Sequence, residues 1–506
     1  RHSRMAAEAM RKAGEEEERR RGGASMQMRS LPSLPPLIVL LMGLASLQVE
    51  AFQPALNLAS HKRSRYAHMR SKATTVMAEA SRKKVVITGV GAVSPVGVGA
   101  DKFFNALVEG KSGIVRLPKA FDEFPCQVGA VVGEEAGWHG PEDYMDSKMA
   151  KTQGRFVHFS MAAAKMAIDD AKMDVTKVDK SRFGCIIGSG TGGVEFFEDN
   201  VNKYFSAQGG AKGMQEVSSS LIPALVSNTA SNAVAWEVGA KGPSYSVVSA
   251  CATGTHALGD ALHFLQSGKA DVMLAGGSEC SLTPLAFAGF AALRAMTTSF
   301  NEDPLAASRP FDKKRDGFVM GEGAGVLLLE TEEHALARGA EIYCEFAGYG
   351  ASCDAYHITA PHPEGRGLAA AISMALRSGE VKPEEVDYIN AHGTSTPYND
   401  KFETMAIKKA LGEHAYKTRI SSTKSMIGHC LGAAGGLEAV ICAKAVKTGW
   451  IPPTLNCDEP DIEDGCDLDY TRHKAVKMER VRAAISDNLG FGGHNAAIVF
   501  KEYSKN

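Results

Sequence analysis

The chain has 506 residues, 44% of them hydrophobic and 23% charged, and a formal net charge of −2 at pH 7. This length allows a large buried core in two or more domains, and the near-neutral charge gives no sign of nucleic acid or an anionic membrane as a partner. The ten cysteines occur singly, without the paired spacing of zinc or dithiol sites. Free thiols in a reducing compartment are therefore expected.

The first 82 residues differ in composition from the rest. The apolar run Leu37–Leu47 follows Arg29 and precedes small residues, which is typical of a secretory signal peptide too short to span a bilayer. The stretch after Ala51 is rich in Arg, Lys and Ser and has no acid before Glu79, as in a transit peptide. We predict that residues 1–82 are a disordered, removed leader to the stroma of a secondary plastid. An ordinary secreted protein is the alternative, and no stable membrane span is expected in the mature chain.

Strand and helix patterns alternate from residue 83 onward. In residues 83–335, strands are predicted at "KVVITGV", "FGCIIG", "SYSVVSA", "DVMLAGG" and "GVLLLE", and a long helix at "RFVHFSMAAAKMAIDDA". Residues 336–506 repeat this rhythm with strands at "IYCEFAGYGAS", "VDYINAH", "RAAISDNLG" and "NAAIVFKE" and helices between them. Two such halves predict an α/β protein of layered sheets covered by helices.

The segment "GSGTGG" matches the spacing of a dinucleotide-binding loop through Gly188, Gly190 and Gly193. Bulky residues follow it, however, and no strand ending in an acid to bind the ribose lies about 20 residues further on. Among 52 glycines such a match carries little weight, so nucleotide binding is not predicted.

Cys251 lies in "SACATGTHAL", where a strand pattern passes into a helix pattern. A helix N-terminus carries partial positive charge and free N–H groups, which lower the pKa of a thiol and can stabilise an oxyanion. Taken alone, Cys251 is better interpreted as a small buried structural residue. Two histidines in Gly-rich loops favour the nucleophile: His392 in "NAHGTSTPYND" and His429 in "SSTKSMIGHCLGAAGG".

These motifs, together with "NLGFGGHN", resemble those of the elongating β-ketoacyl-[acyl-carrier-protein] synthases over residues 83–503. The resemblance implies the thiolase fold, a five-layer αβαβα sandwich of two similar halves, and a homodimer that needs no cofactor. It also implies an acyltransferase that adds two carbons to a fatty acid by decarboxylative condensation with malonyl carrier protein. Cys251 would hold the acyl chain, while His392 and His429 would act on the malonyl group.

The resemblance assigns further residues. Lys424 and Glu403 would form a charged pair that orients the histidines, since buried charges need partners. Phe491 would be a gate between glycines, and its N–H an oxyanion donor with that of Cys251. The remaining residues would line the substrate pocket (Phe197, Thr394, Thr396), dock the acidic carrier (Lys148, Lys151, Arg155) or hold a structural cation (Asn390, Glu403, Glu438, Ser486).

The sequence departs from the family pattern at His494, where many relatives have threonine, and at Glu216, where a basic residue is common. Three alternatives within this superfamily are disfavoured. A degradative thiolase pairs its His and Cys differently, the short-chain initiating synthase replaces one histidine by asparagine, and non-condensing partner subunits lack the cysteine. Neither the acyl chain length nor the docking footprint follows from the sequence.

Overall fold

The computed structural model describes residues 82–505, so residues 1–81 of the predicted leader lie outside the described residues. The strands are β1 (Val85–Ser94), β2 (Gly97–Val98), β3 (Ile114–Arg116), β4 (Val128–Ala130), β5 (Phe183–Gly188), β6 (Ser244–Tyr245), β7 (Val272–Glu279), β8 (Met320–Gly321), β9 (Gly323–Thr331), β10 (Cys344–Cys353), β11 (Val386–Asn390), β12 (Arg419–Ser421), β13 (Trp450–Ile451), β14 (Val476–Lys477), β15 (Ala483–Gly490) and β16 (His494–Lys501). The α-helices are α1 (Ala100–Val108), α2 (Ser147–Thr152), α3 (Arg155–Asp170), α4 (Val194–Ser206), α5 (Gly210–Glu216), α6 (Leu221–Leu225), α7 (Thr229–Val238), α8 (Thr253–Gln266), α9 (Pro284–Ala292), α10 (Glu332–Ala337), α11 (Arg366–Ser378), α12 (Pro397–Leu411), α13 (Lys424–Ile427) and α14 (Ala434–Thr448).

The main sheet consists of two halves with the same topology. The first runs in the order β6-β5-β7-β9-β1 and the second in the order β12-β11-β15-β16-β10. In each half the two outermost pairs at one end are parallel, and the other pairs are antiparallel. The halves meet where β1 pairs with β10.

Helices cover both faces of each half. A central apolar cluster joins α8 and α14 to strands of both halves. A second cluster packs α3 and α7 on the first half, and a third packs α11 and α12 on the second. The order of layers is therefore helix, sheet, helix, sheet, helix, as in the predicted thiolase fold.

The two central helices cross at very short range because glycines face each other. A Cβ added to Gly254 of α8 would lie 2.7 Å from the backbone nitrogen of Gly436 in α14. A larger residue at Gly254 would force the helices apart. This contact matters for the site, because the turns that precede α8 and α14 carry Cys251 and His429.

Most predicted elements are present, with two differences in detail. The run "SYSVVSA" is a strand only at Ser244–Tyr245 and then continues as irregular backbone toward Cys251. The boundary drawn between residues 335 and 336 falls inside α10, and the second half begins at β10. Within residues 82–505, no helix is both long and apolar enough to cross a membrane.

Candidate active site

Cys251 lies in a tight turn, Ala250–Ala252, directly before α8. Ala250 has a φ of 50°, an unusual conformation for a residue with a side chain, and strain of this kind is common at functional sites. The backbone N–H groups of Cys251 itself and of Phe491 both donate toward the sulfur. The turn therefore directs the thiol and two hydrogen-bond donors to the same point.

The thiol is not activated in the way the sequence suggested. Cys251 is only 8% exposed, and burial raises the pKa of its thiol to about 12, although the Lys424 charge and the two N–H donors act in the opposite direction. The predicted lowering of the thiol pKa by the helix is therefore wrong for the resting enzyme. A neighbouring group must accept the proton before the sulfur can attack a carbonyl.

His392 and His429 supply the neighbouring groups. The reactive atoms of Cys251, His392 and His429 all lie within 4.8 Å of one another. The imidazole rings are perpendicular, with centroids 5.1 Å apart. Burial, followed by the charge of Lys424, lowers the pKa of both histidines well below the usual value, so both are neutral near pH 7.

Lys424 pairs with Glu438 and not with Glu403 as predicted. Its ammonium forms a buried ion pair with the Glu438 carboxylate, each side chain being 2% exposed. The other oxygen of Glu438 accepts a hydrogen bond of 2.7 Å from Asn488 Nδ2, and Asn488 Nδ2 lies 3.1 Å from His392 Nδ1. Asn488 was not identified from the sequence, since its only local signal is its position before "GFGG".

Glu403 has a different task, which is to hold the backbone at His392. Its two oxygens accept hydrogen bonds from the N–H groups of His392 at 2.6 Å and Gly393 at 2.8 Å. This buried carboxylate therefore fixes the loop from which the His392 ring projects. The role predicted for Glu403, orientation of a histidine, is exerted through the main chain.

The residues proposed for a structural cation fit such an ion in part. Asn390 Oδ1 and both oxygens of Asp487 are buried without a hydrogen-bond partner in the described chain. Burial, and next the neighbouring Asp487 carboxylate, raise the pKa of Glu403 well above its usual value. Burial and the Glu438 charge raise the pKa of Asp487 to about 6. Hard oxygen donors in a carboxylate pair suit a cation, which would replace the proton there. Glu438 is instead engaged by Lys424, and Ser486 Oγ donates to Glu438 at 3.4 Å.

Cys251, His392 and His429 line one cavity of about 380 Å³. Thr394 and Thr396, predicted to line the substrate pocket, are also in its wall, and Phe491 lies there too. A Cβ on Gly490 would lie 2.5 Å from the Ser249 carbonyl oxygen, so only glycine lets the Phe491 loop approach the cysteine turn this closely.

Two of the predicted residues, Phe197 and Arg155, do not line this cavity. Phe197 is 38% exposed on α4 and does not line the cavity of the single chain. Arg155 points inward, where its guanidinium forms a 3.0 Å ion pair with buried Glu322 and donates to the Val132 carbonyl. Arg155 is therefore held by buried Glu322, which needs a counter-charge, while 33% of the Arg155 side chain is exposed. Lys148 and Lys151 remain exposed on α2.

Next to Arg155, Glu195 caps the first turn of α3, accepting from the Arg155 N–H at 2.6 Å. Burial raises the pKa of Glu195 to about 7. A raised folded-state pKa gives stability that is present below pH 4.5 and lost as the pH rises through about 7. We expect Glu195→Gln to melt at a higher temperature than the wild type at pH 8 and with little difference at pH 5. Thermal melts of the wild type and Glu195→Gln at both pH values test this prediction. The exposed control Glu216→Gln should have the same melting temperature as the wild type at each pH. A difference between Glu195→Gln and the wild type that is the same at pH 5 and pH 8 would contradict the prediction.

The "GSGTGG" loop has an internal partner. The N–H groups of Gly190 and Thr191 donate to the buried Glu279 carboxylate at 2.7 and 3.2 Å, and the N–H of Gly432 donates to it at 3.0 Å. These donors, which hold phosphates in nucleotide sites, here bind a side chain. The carboxylate ties β5 to the turn that follows His429.

Fold and site together define a thiolase-fold acyltransferase whose cavity brings one cysteine and two histidines together. Comparison with known families agrees: residues 82–335 match the beta-ketoacyl synthase N-terminal domain and residues 343–458 the C-terminal domain. The chain belongs to the beta-ketoacyl synthase family.

Relatives match over nearly their whole length. The chain is 47% identical over 429 residues to a Synechocystis 3-oxoacyl-[acyl-carrier-protein] synthase 2, covering 84% of this chain and 100% of the relative. It is 44% identical over 421 residues to the Staphylococcus aureus enzyme of the same name, covering 83% and 99%.

Two solved structures extend the comparison. A ketosynthase bound to its type II polyketide acyl-carrier protein is similar with a TM-score of 0.77 and 35% identity, over 83% of this chain and 100% of that one. A Burkholderia phymatum beta-ketoacyl synthase has a TM-score of 0.76 and 34% identity, with the same coverage.

Proposed function

We propose that this protein is a 3-oxoacyl-[acyl-carrier-protein] synthase that lengthens an acyl chain by two carbons. The observation that carries the proposal is the convergence on one cavity of a thiol, two neutral imidazoles and two backbone N–H donors. Each of these groups has a place in a thioester condensation, and the relatives named above carry the same name for their activity.

The first half-reaction transfers the acyl group. The Cys251 thiol loses its proton to one of the two neutral imidazoles, whose reactive atoms lie within 4.8 Å of the sulfur. The sulfur then attacks the acyl thioester of the carrier, and the N–H groups of Cys251 and Phe491 stabilise the oxyanion. The new S–C bond forms, the bond to the carrier sulfur breaks, and the carrier leaves as a thiol with the returned proton.

The second half-reaction consumes a malonyl thioester on another carrier. Its C–C bond breaks, carbon dioxide leaves, and the electron pair becomes an enolate whose oxygen accepts hydrogen bonds from the imidazoles. Neutral rings donate without the charge that would retain the departing carboxylate. The carbanion attacks the Cys251 thioester, the S–C bond breaks, and the departing thiolate takes up one proton from solvent. The 3-oxoacyl chain leaves on the malonyl carrier.

The partner of both steps is an acyl carrier protein, and exposed Lys148 and Lys151 are proposed to contact its acidic surface. The side-chain oxygens of Asn390, Glu403 and Asp487 are proposed to hold the cation, which would neutralise the paired carboxylates beside the His392 loop. The proposed function is consistent with these two assignments but does not depend on them.

A homodimer is proposed from the exposed apolar side chains of the first half, namely Phe205 at 70%, Met214 at 68% and Ile222 at 64% exposure. Light scattering after gel filtration tests it, with the dimer mass expected.

Localisation in a secondary plastid is proposed from the leader composition. A fluorescent protein fused behind residues 1–82 should enter the stroma, whereas its secretion would favour an ordinary secreted protein.

The proposed function predicts an acyl adduct on one residue. The mature protein, incubated with acyl-carrier thioesters of several chain lengths, should gain one acyl mass that peptide mapping places on Cys251, because only this thiol meets both N–H donors. Cys251→Ser should lose the adduct, whereas Cys430→Ser, at a buried neighbouring cysteine, should keep it. A folded protein without an adduct at any length would contradict the synthase and favour a non-condensing subunit.

A further inference from the structure

We propose that Asn488 is a positioning residue that holds the proton of neutral His392 on Nε2, the ring nitrogen opposite Nδ1. Asn488 is fully buried near the end of β15, two residues before Gly490. It touches neither the thiol nor the cavity. Its amide connects three elements of the site: the helix after Cys251, the Lys424–Glu438 pair and the His392 ring.

The orientation of the Asn488 amide follows from its surroundings. Glu438 is paired with the Lys424 ammonium, so its carboxylate can only accept hydrogen bonds. The atom of Asn488 that faces it at 2.7 Å must therefore be the amide nitrogen. The amide oxygen then points to the Thr255 hydroxyl of α8, which donates to it.

The same nitrogen determines which form of His392 is present. An amide nitrogen has two hydrogens and no acceptor capacity, and the second hydrogen is directed at His392 Nδ1, 3.1 Å away. Nδ1 must therefore carry the lone pair. In a neutral imidazole the proton is then on Nε2.

The Lys424–Glu438 pair therefore acts on His392 in two ways. The Lys424 charge acts through space, and a chain of hydrogen bonds also connects the Lys424 ammonium, the Glu438 carboxylate, the Asn488 amide and the His392 ring. In the condensation, which rests on the proposed function, Nε2–H is the donor that an enolate oxygen requires. With the proton on Nδ1 instead, Nε2 would present a lone pair to that oxygen and repel it.

The test reads the proton position directly. In the full mature enzyme labelled with ¹⁵N-histidine, the His392 signal, assigned by its loss in His392→Gln, should show a protonated Nε2 and an unprotonated Nδ1. In Asn488→Asp, which has the same shape but a carboxylate facing Nδ1, the spectrum should show a protonated Nδ1. A wild-type signal with the proton on Nδ1, or a spectrum unchanged in Asn488→Asp, would overturn the proposal.

Kinetics supply the second readout. We expect kcat for condensation to fall about 10²- to 10³-fold in Asn488→Asp, the range for loss of one oxyanion donor, with KM for malonyl carrier and the rate of Cys251 acylation little changed. A uniform loss of acylation and condensation would instead indicate a structural role and would also overturn it.

Two controls keep the outcomes distinct. Asn200→Asp changes another buried asparagine, one that bonds only backbone groups of its own region, and should keep the wild-type kcat. If Asn488→Asp does not fold, Asn488→Ala replaces it, with a mixture of both neutral forms expected. Failure of the proposed function would appear as no acylation of the wild type, whereas the proton position on His392 would still be readable.

Discussion

Replacement of His392 or His429 by alanine is expected to reduce condensation about 10²- to 10³-fold each, the range for loss of one preorganised donor to an oxyanion. The ring centroids are 5.1 Å apart and both rings lie near the Cys251 thiol, so we expect them to act on one substrate group. The double variant should lose little more than the worse single variant, because groups that act as a unit are not additive.

The measurement separates the two half-reactions. Release of carbon dioxide from malonyl carrier and formation of 3-oxoacyl carrier should fall together, while His392→Ala still accepts an acyl mass on Cys251. His414→Gln is the matched control, since His414 is half-buried but its ring bonds the Val386 carbonyl outside the cavity. Retention of condensation in both single variants would refute the assigned roles.

Lys424→Met is expected to lower the free energy of unfolding by about 3–5 kcal/mol, because it leaves the Glu438 carboxylate buried without its counter-charge. It should also alter catalysis. The Lys424 charge lowers the pKa of both histidines, so its removal raises those values. The acidic limb of the pH–rate profile should therefore move to higher pH.

Denaturant unfolding and a pH–rate profile test this prediction. Lys424→Met combined with Glu438→Leu should regain much of the stability, since no unpaired charge remains, but not the activity. Lys203→Met breaks the exposed pair with Asp199 and should cost at most about 0.5 kcal/mol. A Lys424→Met protein as stable as Lys203→Met would show that Glu438 finds another partner or is protonated.

Local patterns were sufficient for the elements that build the fold. The spacing of apolar residues in Arg155–Asp170 predicts that helix, and the runs at β5, β7 and β9 are long enough to mark buried strands. The long motifs around Cys251, His392 and His429 identified the family and named the residues that the fold brings together. Such signals lie within one element or one turn, so the sequence by itself determined them.

Only the tertiary structure decided how the charges pair. Lys424 could be matched with Glu403 from motif order, but packing of α13 beside α14 brings it to Glu438, and β15 adds Asn488 and Asp487. Burial likewise decided that the Cys251 thiol is protonated at rest and that Arg155 pairs with Glu322. Each of these outcomes depends on desolvation and on partners distant along the chain, whose energies arise only when the two halves are packed.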